Sequence, residues 1–528
     1  MIQDYQLRLL PEQAGQEELL TAAIRKKLPK GEKLNDYKVV KRSTDARKKP
    51  VMINLTVRVA SGDDHEVVQI WNPYKFSPVG PDSPVLAIVG AGPAGLFAAL
   101  QALKYGIKPI VVERGADVDT RRVDLAEVSR KKKINPRSNY CFGEGGAGAY
   151  SDGKLFTRSK KRGNVREVLE LLVQHGASES ILTDAHPHIG SDKLPHVIKA
   201  IRQTIIANGG EVHFHTLADK LILKDERVTG IETDKGRIQA DGVILATGHS
   251  AHDTFRNLHA QEIPMEAKGI AIGVRLEHPQ SLIDRIQYHD PKGRGQWLPP
   301  AEYSFVTQVD GRGVYSFCMC PGGVIVPAGS SAGELVVNGM SASARSGRWA
   351  NSGMVVEIHP GDIPGYEHEG PLQIMALQEN LEKKMFRAAG DSIVAPAQRM
   401  TDFIAGKLSS SLPATSYAPG IQPGDFNSLL PEFISSRLAQ GFVEFGRKAK
   451  GFLTPDGVMI GLESRTSSPI RILRDSETLS STAFTNLYPS GEGAGYAGGI
   501  VSAAIDGMRC TEAFARSLES EINDSTAF

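Results

Sequence analysis

Three stretches of this chain hold residues whose spacing suits chemistry done largely by the backbone. Gly90-Ala-Gly92-Pro93-Ala94-Gly95 is a glycine triplet at the spacing that cradles a pyrophosphate. The first glycine permits a tight turn, the second lets phosphate approach the chain, and the third lets a helix pack closely on a strand. Glu113 follows eighteen residues beyond Gly95, where a carboxylate can accept hydrogen bonds from ribose hydroxyls and repel a 2′-phosphate. Two further loops, Cys141-Phe-Gly-Glu-Gly-Gly-Ala-Gly148 and Ser490-Gly-Glu-Gly-Ala-Gly-Tyr-Ala-Gly-Gly499, are nearly alike yet sit far apart in the sequence. Glycine loses more freedom on ordering than any other residue, so both loops are expected to grip one ligand.

The elements around these residues follow from periodicity. Val85–Val89 is a short apolar run of the kind a parallel strand buries on both faces, and Leu96 to Tyr105 reads as a helix. A second strand, Pro109 to Val112, ends at Glu113, so the unit is βαβ. The uncharged stretch 85–103 approaches the length of a membrane span. The glycines and the acid are explained only by the βαβ reading, and no membrane partner is expected. Near the other end, Val501 to Arg509 is a plausible helix whose first-turn amides and partial positive charge would follow Gly498, Gly499 and Ile500.

Residues 1–70 form a separate module. A strand near Tyr5–Leu10, a helix near Gln16–Leu28 striped by Leu19, Leu20, Ala23, Ile24 and Leu28, and strands near Asp36–Lys41 and Val51–Ala60 suggest a small ferredoxin-like α+β domain. Pro73, Pro78, Pro81 and Pro84 mark residues 71–84 as a linker. At 528 residues the chain is expected to form several domains, and 61 Lys+Arg against 60 Asp+Glu disfavours a nucleic-acid partner. Four cysteines are too few for a disulfide scaffold and show no zinc-type spacing, so no metal is expected. With no basic-then-apolar leader, a cytoplasmic location is expected.

Resemblance adds the cofactor. Glu113-Arg114-Gly resembles the strand-end acid of glutathione-reductase-type flavoproteins, residues 211–223 and Asp241-Gly-Val-Ile-Leu-Ala-Thr247-Gly248 resemble later strands of that FAD domain, and Gly491-Glu492 resembles its closing flavin motif. Together with 143–155, 186–194, 312–330, 338–353 and 491–507, these stretches resemble one group of bacterial FAD-dependent dehydrogenases over nearly the whole chain. The resemblance implies an α/β fold: a Rossmann FAD-binding domain at 85–268 and 482–528, interrupted by a substrate or cap domain at 269–481. It also implies FAD contacts from Gly90, Gly92, Pro93, Ala94, Gly95, Glu113 and Arg114. Gly145, Gly146, Ala147 and Ser151 would lie along the pyrophosphate and flavin edge, Ala218, Thr247 and Gly248 near the ADP half, and Gly491, Glu492, Gly498, Gly499 and Ile500 at the ribityl chain and ring. Glu492 would accept a ribitol hydroxyl.

The reacting groups are less legible. Cys318 and Cys320 lack the CxxC or C-x4-C spacing of flavin disulfide reductases and are expected to be buried structural cysteines. His186-Pro-His188 with Asp192 is a metal or proton-transfer cluster or, as the reading favours, structural, and Ser191 is expected to cap a helix carrying Leu194, Val197, Ile198 and Ile201. Arg130-Lys-Lys-Lys133 and Arg137 form a solvated face that could draw in an anionic substrate. Asp152, Lys154 and Arg158 could face the flavin, and Arg345, Arg348 and Asn351 could bind a carboxylate. No second strand-flanked glycine triplet exists. Electrons would therefore come from the substrate, from transiently bound NAD(P)H, or from a protein partner. The expected activity is FAD-dependent hydride transfer involving a small molecule. The alternative is a flavoprotein of RNA modification or a non-catalytic nucleotide-binding protein.

Overall fold

The computed structural model describes residues 2–64, 66–157 and 163–526. Its centre is a five-stranded parallel sheet in the order Leu487–Pro489, Gly242–Leu245, Val85–Val89, Lys108–Val112, Glu211–His213. Alternation along Val85–Val89 separates two cores. Leu86 and Ile88 pack with the Pro93–Lys104 and Ile500–Thr526 helices, while Ala87 and Val89 face a three-stranded antiparallel sheet at 218–239. This three-layer sandwich buries the 85–103 stretch without a membrane, and no helix among the described residues is long and apolar enough to cross one.

The C-terminal helix runs from Ile500 to Thr526, beyond the expected Arg509, because Met508, Cys510, Ala513 and Phe514 continue its buried stripe. The chain leaves this sandwich through a two-stranded ribbon, Met265–Ala267 against Ile470–Ile472. Between the two ribbon strands lies a mixed eight-stranded sheet, its long members Ile270–Pro279, Arg312–Pro327 and Trp349–Ile358 paired antiparallel. Its own apolar core includes Phe403, Phe426, Phe442, Phe445 and Phe452.

The N-terminal module is a three-stranded antiparallel sheet, with Met52–Ser61 between Ile2–Leu9 and Leu34–Asp45, covered by the Pro11–Gly15 and Glu17–Arg25 helices. Val51, Ile53, Leu55, Val57 and Val59 are all buried, as their alternation demands. Leu19 departs from the expected stripe and stands 40% exposed, while Leu20 and Ile24 carry the helix contact. The proline-rich segment is a strap packed on the nucleotide-binding body: Ile70, Trp71, Tyr74 and Phe76 lie against its core, and Tyr74 donates from Oη to Glu170 at 2.7 Å.

Candidate functional site

The first glycine turn behaves as three separate devices. A Cβ on Gly90, whose φ is +109°, would collide with the Ala246 carbonyl, and one on Gly95 would collide with the Gly90 carbonyl. A Cβ on Gly92 would meet only Gly146 Cα, at 3.9 Å. Gly90 and Gly95 therefore close the turn against protein, while Gly92 faces open space. That space is a cleft of about 350 Å³.

Nearly all the expected positions converge on it. Gly92, Pro93 and Ala94 line it beside Gly90; Glu113 and Arg114 come from the strand end; Gly146, Ala147 and Ser151 come from the first loop. Ala218, Thr247 and Gly248 border it on another side, and Glu492, Gly498, Gly499 and Ile500 complete it from the last loop. Three positions lie behind the lining. Gly95 packs helix on strand, Gly145 donates to the Ala91 carbonyl at 2.8 Å, and Gly491 donates to Asp506 at 2.8 Å. The two distant loops meet: a Cβ on Gly148 would lie 3.0 Å from Ile500 Cγ1.

Glu113 does more than the sequence suggested. Its buried carboxylate accepts the amides of Ala91 at 3.0 Å, Gly115 at 2.9 Å and Gly143 at 3.0 Å. A carboxylate offers about four lone-pair positions, so roughly one remains for a sugar hydroxyl. Arg114 is bound bidentately to Asp253 and lies over the Phe142 ring. The first loop hangs on Arg121, which is fully buried and donates to the carbonyls of Asn139, Tyr140, Gly143, Glu144 and Gly146 at 2.8–3.2 Å. Burial lowers its affinity for the proton. Sequence reasoning missed Arg121, which sits in a helix whose pattern looks solvated and whose partners are loop carbonyls.

Two helix N-termini open into the cleft. Leu96 is the first residue of its helix to bond back, to the Gly92 carbonyl at 2.9 Å, and Ala503 does the same to Gly499. The preceding amides lack intrahelical partners and carry the positive end of each dipole. A Cβ on Gly248, Gly498 or Gly499 would meet nothing within 4 Å. A glycine cradle, paired helix ends and a buried strand-end acid fit a long nucleotide with a pyrophosphate. Burial pushes the Glu492 carboxyl up to about 7, opposed by the cation of Lys268. His249, which accepts or donates at Nδ1 to Ser250 at 2.9 Å, is pushed down to about 3 by burial and so is neutral.

A second, larger cavity of about 1010 Å³ adjoins the cleft, and both are lined by Lys154, Phe156, Phe317, Cys318, Gly498, Gly499 and Ile500. Lys154 Nζ lies 3.9 Å from Asp152 and 3.8 Å from Glu302. Arg345 is engaged by the same two carboxylates, which excludes it as the expected carboxylate binder. Arg348 lies over Trp349, and Asn351 is buried against Arg275, so neither lines either cavity. Arg158 lies outside the described residues.

The histidine motif divides. His186 stacks on Phe156 and borders the second cavity. His188 and Asp192 clasp Ser343, through its carbonyl and through its amide and hydroxyl respectively. Ser191 is not the expected cap: its hydroxyl donates to the Ser341 carbonyl, and the helix begins after Lys193. Cys318 also departs from expectation. Residues two apart in a strand share a side, and here the ladder shifts register between Phe317 and Cys320 with Cys318 at φ +45°. Cys320 is fully buried, but Cys318 borders both cavities.

Fold and cleft suit a dinucleotide, and the family comparison identifies it as FAD, which makes the chain an FAD-dependent flavoprotein. A family profile described as the C-terminal domain-like region of FAD-dependent proteins matches residues 269–466, and a domain of unknown function matches residues 1–60. The chain is 39% identical over 500 residues to an uncharacterised protein of Clostridium beijerinckii, covering 91% of this chain and 92% of that one, and it belongs to the same family. Protein FixC of Salmonella typhi is 26% identical over 220 residues, 39% of this chain and 46% of FixC. Similar solved structures include a geranylgeranyl bacteriochlorophyll reductase-like protein of Thermoplasma acidophilum, 13% identical with a TM-score of 0.37 over 83% of this chain and 80% of that one. The glycerol-3-phosphate dehydrogenase of Bacillus halodurans complexed with FAD is 12% identical, with a TM-score of 0.36 over 83% and 66%.

Proposed function

We propose that the protein is an FAD-dependent oxidoreductase that moves a hydride between a small molecule and the flavin. In this reading, residues 85–268 and 482–528 hold the nucleotide, and 269–481 supply the substrate side. The ferredoxin-like character of residues 1–70 belongs to the same proposal. The observation that carries it is the shared wall: the larger cavity opens onto the nucleotide cleft where the Ile500–Thr526 helix begins. Bound FAD supplies a two-electron acceptor and donor at N5.

The protein's own part is placement and electrostatics. The Gly92 turn and the Ala94 and Gly95 amides hold the phosphates. The unpaired amides at Ile500 favour negative charge at the end of the cleft beside the substrate. Phe156, Phe317 and Tyr496 give the cavity apolar walls, while Lys154 and Glu302, 3.8 Å apart, place both charges together in one part of its lining. Lys154 Nζ, 32% exposed and beyond hydrogen-bond reach of both carboxylates, is placed to orient a substrate oxygen.

The test is the visible spectrum of the purified protein, followed by anaerobic mixing with metabolites and with NADH or NADPH. Oxidised-flavin absorbance that bleaches with a small molecule is the expected result. A flavin that resists every such reductant, or a colourless protein that rejects added FAD, would overturn the reading.

A further inference from the structure

Cys318 stands where the two cavities join, and its surroundings favour a reactive sulfur. Arg275, fully buried, donates from Nη2 to the Cys318 carbonyl at 2.6 Å and to Cys320 Sγ at 3.3 Å. Its remaining donors are held by Glu463 at 3.0 Å and Asn351 at 2.9 Å, which fixes the guanidinium against the pair. The Cys320 thiol donates to the Cys318 carbonyl at 3.3 Å. A strand with an extra residue at this point, and a left-handed φ at Cys318, give the pair a local backbone unlike the regular ladder on either side. Cys320 beside it and the charge of Arg275 hold the Cys318 thiol below the ordinary range, whereas Cys318 and burial push Cys320 up. Cys318 lines both cavities and Cys320 is fully buried behind it, so Cys318 is the thiol an entering molecule meets first and Cys320 its neighbour, a division suited to attack and resolution. Cys141 contrasts with it: its Sγ donates to the Ala328 carbonyl and burial raises its pKa.

We propose that Cys318 and Cys320 form a redox-active dithiol that reduces a small-molecule disulfide entering through the larger cavity. The Cys318 thiolate attacks one sulfur of R–S–S–R; that bond breaks, and the first thiolate leaves to take a proton from solvent. Cys320 then attacks Cys318 Sγ in the mixed disulfide, its own proton passing to solvent, and the second thiolate leaves and is protonated. The protein gives up two electrons and the Cys320 proton and gains the Cys318–Cys320 bond, solvent supplies the second proton, and one disulfide becomes two thiols. A dithiol reductant restores the starting state.

Holoprotein is incubated with oxidised glutathione, quenched in acid, alkylated and mapped by mass spectrometry, a readout that needs no flavin turnover and is independent of the hydride reading. The expected product is one peptide with an internal Cys318–Cys320 link, opened by dithiothreitol. Cys320→Ser should stop at glutathione on Cys318. Both thiols remaining alkylatable, or parent protein keeping glutathione on Cys318, would overturn the proposal. The parent map decides the matter even if a variant fails to fold.

Discussion

The carboxylate of Glu113 and the amide of Gly143 are 3.0 Å apart, joining the end of a central strand to a loop thirty residues later. Through its other contacts the same carboxylate also holds Ala91 in the first glycine turn and Gly115 beyond its own strand. One side chain thus fixes the spacing of two walls of the nucleotide cleft. Glu113→Gln keeps one oxygen but turns an amide group toward a backbone donor, and should cost about 1–3 kcal/mol. Glu113→Ala orphans three buried donors and should cost roughly 3–5 kcal/mol. Both should lower flavin retention, measured as the ratio of visible to ultraviolet absorbance after gel filtration. Full retention in the alanine variant would show that the loops hold their spacing without it.

The glycine triplet allows a sharper separation. Gly92→Val places a branched side chain in the open cleft, so the flavin-free protein should melt close to the parent temperature yet bind no flavin. Gly95→Ala drives a methyl into the Gly90 carbonyl at the helix–strand contact, so it should lower the melting temperature itself. Thermal melts with and without added FAD distinguish the two. A Gly92→Val protein that purifies with full flavin would refute the placement of the phosphates.

The difference between these sites and the rest of the cleft explains what the sequence disclosed. Val85–Val89, the glycine triplet and Glu113 are local and periodic, so strand, turn, helix and acid could be read from neighbours alone. The 143–148 and 491–499 loops were legible as a pair because glycine density is conspicuous. Arg121 was not, since its acceptors are backbone carbonyls, which no sequence pattern marks. The Cys318 environment was equally hidden: it depends on a one-residue register shift and on Arg275, a residue from another strand. The packing of the proline-rich segment was hidden because its aromatic side chains, Trp71 and Tyr74, bond to Glu179 and Glu170, about a hundred residues away.

Arg121 itself can be tested by grading its donors. Arg121→Met removes every bond to the five loop carbonyls and should destabilise the protein by roughly 3–5 kcal/mol, with loss of flavin. Arg121→Lys keeps the charge but cannot span carbonyls from Asn139 to Gly146 and should fall between the two. Urea melts followed by flavin fluorescence and by circular dichroism would show whether the loop loosens before the fold does. Wild-type behaviour in both variants would mean the loop is held by Glu113 alone.

Glu492 supplies a pH test of the cleft in the flavin-free protein. Its folded carboxyl is pushed up to about 7 by burial, above its unfolded value, so the folded state binds the proton more tightly. The stability this group contributes is therefore fully present below about pH 4.5 and is lost as pH rises through about 7. Glu492→Gln is neutral at every pH and removes that loss. The variant should melt near the parent temperature at pH 5 and above it at pH 8, the gap opening between those values. Parallel melting curves for parent and variant across this range would mean that the carboxylate reaches water when the cleft is empty, and that the ribityl end of the site is more open than the packing around Glu492 implies.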